Sequence, residues 1–301
     1  MASIPFLKMN GLGNDFAIID ARDDETPLSP ALIAKLGKRD SQGIGFDQFI
    51  SVERSPSGAT AFMRIWNQSG DEVSACGNAT RCVGQLLMDE LGADWASIQT
   101  KAGLLNAYAT DDPDFITVNM GAPRLAWHEI PLAEEFHDTR AIELQIGPID
   151  DPILDTPSVV NMGNPHAIFW VKDVNAYDLE RFGPMLEHHP LFPEQANITL
   201  AQVDDPEHLT IRVWERGVGL TKACGTAACA VAVAAVRKGF CERDVTVTLP
   251  GGDLQLEWRD SDNCVFMTGP VETEFEGRFD SETGAWQRLT EAEIAAANQT
   301  G

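Results

Sequence analysis

The stretch "KACGTAACA", Lys222–Ala230, sets a cysteine and a glycine immediately before the apolar run "TAACAVAVAAV". A cysteine there could be simple packing, since free cysteine behaves as a small hydrophobe and is commonly buried. The stretch has a counterpart, however, in "SACGNATRC", Ser74–Cys82. The likeness extends upstream without a gap, through "MRIWNQSGDEVSACG" from Met63 and "IRVWERGVGLTKACG" from Ile211. At one constant offset Arg64, Trp66, Ala75, Cys76 and Gly77 recur as Arg212, Trp214, Ala223, Cys224 and Gly225, and Ala79 and Val83 recur as Ala227 and Val231. Nearer the start of each half, "GNDFAII" from Gly13 is echoed by "GNPHAIF" from Gly163 at almost the same offset. Matches in order at nearly one spacing mean an internal duplication, with a period as long as a domain and too long for a solenoid repeat.

The local patterns suggest what each copy builds. Alternation of apolar and polar residues predicts strands over "ATAFMRIW" (59–66), "FITVNM" (115–120), "LTIRVWE" (209–215), "DVTVTLP" (244–250) and "DLQLEW" (253–258), with Gly251 and Gly252 as the turn between the last two. Helices are predicted from the two Ala-Cys-Gly sites onward, stopped by Gly92 in one copy and Gly239 in the other. The second is apolar all round, the mark of a helix wrapped by other structure. We therefore expect an α/β (α+β) chain of two pseudo-symmetric halves, each a curled, mainly antiparallel sheet around a central apolar helix. The halves are expected at residues 1–123 and 124–274, with the boundary near Pro123 to Trp127. The segment from about 275 to 301 could return to the first half, and the last residues of the tail are expected to be mobile.

Bulk properties bound the function. A chain of 301 residues suits two domains, and 44% hydrophobic with 23% charged residues is ordinary for a globular protein. With 22 Lys and Arg against 46 Asp and Glu, the formal charge of −24 would repel phosphate backbones and anionic membrane surfaces. Nucleic acid and membranes are therefore not expected partners. Polar residues from Lys8 onward interrupt the N-terminal segment too early for a secretory apolar region, and no run reaches the roughly 18 apolar residues that cross a bilayer. We expect a cytoplasmic protein. Six cysteines over this length are too sparse for a secreted disulfide framework, and Cys82, Cys229, Cys241 and Cys264 read as packing residues. The Cys76/Cys82 and Cys224/Cys229 spacings are not those of a zinc ribbon and no histidine cluster lies beside them, so no metal is expected.

Chemistry enters at the helix starts. The first turn of a helix has N–H groups without intrahelical partners and about half a unit of positive charge, which favours a thiolate. Cysteine pKa can fall there from about 8.5 to between about 3.5 and 7.5. Gly77 and Gly225 let a ligand approach the backbone closely, and the same N–H groups can hold a carboxylate. Two such cysteines on opposite faces of one carbon could invert it: one thiolate removes the α proton and the other thiol returns one, with neither metal nor pyridoxal phosphate.

Together, "MNGLGNDF", "GIGFDQ", "ACGNATRC", "NMGNPH" and "ERGVGLTKACGTAACA" resemble the diaminopimelate epimerases, over about Lys8 to Gly269. The resemblance implies two similar α/β halves with the site in the cleft between them, and a homodimer. It also implies cofactor-independent interconversion of LL- and meso-diaminopimelate on the route to lysine and peptidoglycan. By position it makes Cys76 and Cys224 the acid/base pair, with His166 and Glu215 adjusting the thiol pKa values. It places Gly77, Asn78, Gly225 and Thr226 at the helix-start donors, and Asn14, Gln48, Asn67, Asn164, Asn197, Glu215 and Arg216 at the other substrate-binding positions. The planar fork of Arg216 suits a carboxylate at the substrate's non-reacting end. An imidazolium at His166 would favour thiolate, and a carboxylate at Glu215 would oppose it. The chain departs from many family members in having Ala79 and Ala227 in place of glycine and Leu220 in place of glutamate. Proline or hydroxyproline racemases share the two-cysteine architecture but act on substrates with no second amino-acid head, which would leave Arg216, Asn67, Asn164 and Asn197 unexplained. Two further readings are a phenazine-biosynthesis-type isomerase, which lacks the paired cysteines, and a non-catalytic amino-acid-binding protein.

Overall fold

The computed structural model describes residues 3–23, 28–73 and 76–297. Ser74 and Ala75, part of the repeated motif, and the end of the tail lie outside the described residues. In chain order the elements begin with β1 (Ser3–Gly11), β2 (Asn14–Asp20), α1 (Pro30–Leu36), β3 (Gln48–Glu53), β4 (Ala61–Asn67) and β5 (Glu72–Val73). They continue with α2 (Gly77–Leu91), β6 (Trp95–Thr100), β7 (Gly103–Ala109), β8 (Phe115–Asn119), β9 (Gln145–Ile146), β10 (Leu154–Asp155), β11 (Ser158–Asn161) and β12 (Pro165–Trp170). Next come α3 (Leu179–Glu187), β13 (Asn197–Asp205), β14 (His208–Glu215), β15 (Gly219–Thr221), α4 (Gly225–Lys238), β16 (Asp244–Leu249), β17 (Gly252–Trp258) and β18 (Val265–Pro270). The chain ends with β19 (Glu272–Asp280), β20 (Trp286–Arg288) and α5 (Glu291–Ala297). The chain divides into two compact units, Met1–Val118 with Pro270–Gly301, and Asn119–Gly269. The return to the first unit is made by β19, which pairs antiparallel with β1 from Ser3↔Asp280 to Asn10↔Glu272.

The two units repeat one topology. In the first, β1 and β2 are antiparallel, β2 runs parallel to β3, β3 is antiparallel to β4, β4 is antiparallel to β5 and parallel to β6, and β6 and β7 form a hairpin. In the second, β11, β12, β13, β14, β15, β16 and β17 are joined in the same senses. A parallel pair needs a crossover, usually a helix. Helices α1 and α2 make the two crossovers of the first unit, and α3 and α4 those of the second.

Helix α1 buries Leu32, Ile33 and Leu36 against Ala17, Ile19, Phe49 and Trp66, while α2 packs on β1, β2, β6 and β7. Likewise α3 buries Leu179, Phe182 and Leu186 with Ala167, Phe169, Ile198 and Leu200, and α4 touches all of β11, β12, β13, β14, β16 and β17. Both faces of the inner strands are thus covered, and "FAII" of β2 and "PHAIF" of β12 are buried without alternation.

Small residues set the closest packing. Helix α4 buries Gly225 and every residue from Ala227 to Ala235, so its alanine and valine surface meets strands on all sides. Both α2 and α4 end on left-handed glycines, Gly92 and Gly239. The β16–β17 turn sits one residue earlier than the sequence suggests: it is Pro250–Gly251, and Gly252 already pairs with Leu249. Helix α3 is not among the helices predicted from sequence: Asp178 caps it and Leu179, Phe182 and Leu186 have helical spacing, but Pro184 lies inside it, where proline removes a donor. Among the described residues no helix is long and apolar enough to cross a membrane.

Candidate active site

Each catalytic cysteine predicted from sequence is the N-cap residue of its unit's central helix. Cys76 caps α2 with φ −150° and ψ 112°, and Cys224 caps α4 with φ −140° and ψ 102°. The same extended backbone leads into both helices. Each cap carbonyl accepts the helix's first intrahelical bond, from Thr80 N at 3.0 Å in one unit and from Ala228 N at 3.1 Å in the other.

The surroundings of the two sulfurs differ. The Cys76 Sγ is half-buried, accepts from Ala79 N at 3.5 Å and donates to Asn14 Oδ1 at 3.7 Å. Asn78 Nδ2 donates to the same Oδ1 at 3.5 Å, and the Oδ1 of Asn78 accepts from Nη1 of the fully buried Arg81 at 3.1 Å. Asn14 is fixed from behind, its Nδ2 donating to Asp47 Oδ2 at 2.8 Å. Its neighbour Asp15 takes Lys8 Nζ at 2.6 Å and Arg39 Nη2 at 2.7 Å. Burial alone would raise the Asp15 pKa, but bonding to Arg39 and Lys8 outweighs it and lowers it to about 2. Gln48 and Asn67 face each other across β3 and β4, Gln48 Nε2 donating to Asn67 Oδ1 at 3.4 Å. The Gln48 Oε1 is buried with no partner among the described residues.

Cys224 is only 5% exposed, and its Sγ lies 3.6 Å from Thr226 Oγ1. Burial, and after it the carboxylate of Glu215, push this thiol well above the ordinary range. The Thr226 hydroxyl and the Ala227 N–H oppose the shift, the latter without a capping hydrogen bond. The lowered thiol pKa expected at a helix start does not hold at Cys224, because the desolvation of a sealed thiolate exceeds what one helix end returns.

His166 also differs from the sequence-based picture. It is fully buried, its Nε2 is 2.8 Å from Asn164 Oδ1, and its Nδ1 has no partner among the described residues. Burial first, and the nearby Arg216 charge second, lower its pKa to about 3. At neutral pH the ring is neutral and supplies no imidazolium in this structure.

The remaining predicted residues of the second unit form one group. Asn197 donates from Nδ2 to Pro165 O at 2.9 Å and accepts at Oδ1 from Arg216 N at 3.0 Å. The Arg216 Nη1 donates to Glu194 O at 2.9 Å. Ala79 and Ala227, the departures from glycine, are fully buried in the first turns of α2 and α4, whereas Leu220 is exposed. The sequence reading missed Arg81 and Asp47. Arg81 and Asp47 each lie beside a quoted motif residue, yet only the tertiary contacts show what they hold. Among the described residues no group of three or more His, Cys, Asp or Glu side chains could hold a metal ion.

The chain matches the sequence profile described as diaminopimelate epimerase over residues 6–126 and 158–274, which contain both cysteine motifs. It is 55% identical over 287 residues to a diaminopimelate epimerase of Afipia carboxidovorans, covering 94% of this chain and 97% of that protein. It is 56% identical over 282 residues to one of Rhodopseudomonas palustris strain BisB18, covering 93% and 96%. The chain belongs to the diaminopimelate epimerase family. Solved structures carry the fold further. A phenazine biosynthesis protein of the PhzF family from Bacillus anthracis matches with a TM-score of 0.63 at 18% identity, covering 93% of this chain and all of that one (100%). A hydroxyproline epimerase from Agrobacterium vitis matches with a TM-score of 0.63 at 15% identity, covering 98% of each chain. At these identities the likeness is one of fold.

Proposed function

We propose that the chain interconverts LL- and meso-diaminopimelate by proton transfer at the α carbon through Cys76 and Cys224, without a cofactor. The chain is an isomerase acting on a small molecule. The observation that carries the mechanism is the repeated cap: two cysteines, each in extended backbone at the start of the central helix of its unit. Their unlike surroundings suit unlike protonation. Cys224, buried beside Glu215, is held as a thiol and serves as the acid for one stereoisomer with Cys76, half-buried, as the base, and the roles exchange for the other. Loss of the α proton leaves a carbanion whose charge spreads into the substrate carboxylate. First-turn N–H groups at Gly77, Asn78, Gly225 and Thr226 stabilise that charge by preorganised dipoles.

The non-reacting end of diaminopimelate carries its own ammonium and carboxylate. Arg216 takes the carboxylate. Asn14, Asn67, Asn164, Asn197 and Glu215 supply polar contacts, and the unpartnered Oε1 of Gln48 is an acceptor of the kind an ammonium seeks. His166, neutral beside Asn164, acts by orienting that amide. The same reading makes the protein a cytoplasmic homodimer of two-half subunits. Light scattering on the purified protein tests the dimer.

Solvent deuterium exchange at the α carbon of LL-diaminopimelate, under reducing conditions, tests the mechanism. The wild type is expected to incorporate deuterium and accumulate meso product, and Cys76→Ser to lose epimerisation by about a thousandfold. Absence of exchange in the wild type would exclude the enzymatic reading. Full activity in Cys76→Ser would point to the cysteine-free chemistry of a phenazine-type isomerase.

A further inference from the structure

The turn between β14 and β15 carries Glu215 and Arg216 and then exposes Gly217 and Val218. A turn exposed in this way has little apolar contact to fix it, yet a guanidinium that recognises a carboxylate must be aimed. The fixing comes from α3, whose Gly183 and Glu187 lie one helical turn apart. At Gly183 an added Cβ would lie 2.4 Å from Cγ of Trp214, so the indole rests directly on the helix backbone. Glu187 is 4% exposed, and both its carboxylate oxygens are engaged. Oε2 accepts from Trp214 Nε1 at 2.7 Å, and Oε1 accepts from Gly217 N at 2.8 Å. Trp214 and Gly217 flank the Glu215–Arg216 pair, so one carboxylate ties down both sides of that dipeptide. Asn197 holds its middle through Arg216 N at 3.0 Å.

A buried carboxylate bonded to two neutral N–H donors is an expensive way to gain stability alone, since desolvation offsets much of the bonding. Its strong, directional bonds do fix geometry. We propose that Glu187 is a positioning residue, acting through Trp214 and Gly217 to aim Arg216 at the carboxylate on the non-reacting end of the substrate. The inference rests on the role given to Arg216 above.

Steady-state kinetics with diaminopimelate test it through a cycle of Glu187→Gln, Arg216→Met and the double variant. A glutamine can accept only one of the two N–H groups and turns its own NH2 toward the other. Glu187→Gln is expected to raise KM about tenfold, the loss of one charge-assisted hydrogen bond, with kcat within about threefold of wild type. In the Arg216→Met background the same change is expected to leave KM where Arg216→Met alone put it, because residues acting through one another are not additive. If Arg216→Met raises KM and Glu187→Gln does not, or if the two effects multiply, the positioning role is wrong while the reading of Arg216 stands. If Arg216→Met leaves KM unchanged, the reading of Arg216 fails and takes this inference with it. Trp214→Phe removes one donor and keeps the bond to Gly217, and it serves the same cycle should Glu187→Gln not fold.

Discussion

The Oδ1 of Asn14 lies 3.7 Å from the Sγ of Cys76, whereas its counterpart in the second half, Asn164, is hydrogen-bonded to His166. The duplicated asparagine thus serves two ends, one orienting a thiol and one meeting a neutral imidazole. Asn14→Ala is expected to lower kcat/KM about tenfold or more, since the thiol loses its acceptor and Asn78 loses a partner. Asp47→Ala, which only frees the far side of Asn14, is expected to cost less. An Asp47 variant as damaged as Asn14→Ala would show that the carboxylate has a role of its own.

Glu215 raises the Cys224 pKa by its charge and by bonding, second only to burial. Glu215→Gln removes that charge, so the thiol should ionise at lower pH. Measured as the pH dependence of alkylation in a Cys76→Ser background, the curve for Glu215→Gln is expected to move toward acid. A shift toward alkali, or none, would remove Glu215 from the control of this thiol.

The pH dependence of stability follows from two buried thiols, one half-buried thiol and one imidazole. Burial raises Cys82 to about 12 and Cys241 to about 11, and Cys224 is raised as well. Above about 8.5 the unfolded chain releases these protons while the folded chain keeps them, so stability declines as pH rises beyond that value. His166 acts on the acid side, with a folded pKa of about 3 against about 6.5 unfolded. Below about 6.5 the unfolded chain takes up the proton that the folded chain refuses, and stability falls as pH drops toward 3. Thermal melts in reductant across pH 4 to about 10 should show both limbs, and His166→Asn should flatten the acid one. An unchanged acid limb in that variant would assign it to other groups.

Helix α2 meets β7 without a side chain between them, for a Cβ added at Gly84 would lie 2.4 Å from the Cβ of Ala107. Neither atom has a torsion with which to yield. Gly84→Ala is expected to destabilise the protein by about 2 kcal/mol in urea melts, the overpacking cost outweighing the gain in helix propensity. Ala107→Gly in the same chain should recover part of it.

Much of the candidate site was legible because the duplication marks it twice: Cys76 and Cys224 share a motif, a cap geometry and a place in the topology. Residues such as Asn197 and Arg216 were legible only through the family motifs, since an isolated asparagine or arginine has no periodic pattern to betray it. Glu187 left no trace, because its partners Trp214 and Gly217 are far away in sequence and the helix that carries it is disguised by Pro184.

The order of residues by itself determined the doubled architecture, the apolar central helices and the cysteines that cap them, because periodicity and helix-start chemistry are local and repeat in register. Only the tertiary structure decided which thiol is sealed and which is half-open, that His166 is neutral, and what holds Arg216 in place. Those properties depend on desolvation and on charges brought together from distant parts of the chain, and neither is encoded in any short stretch of sequence.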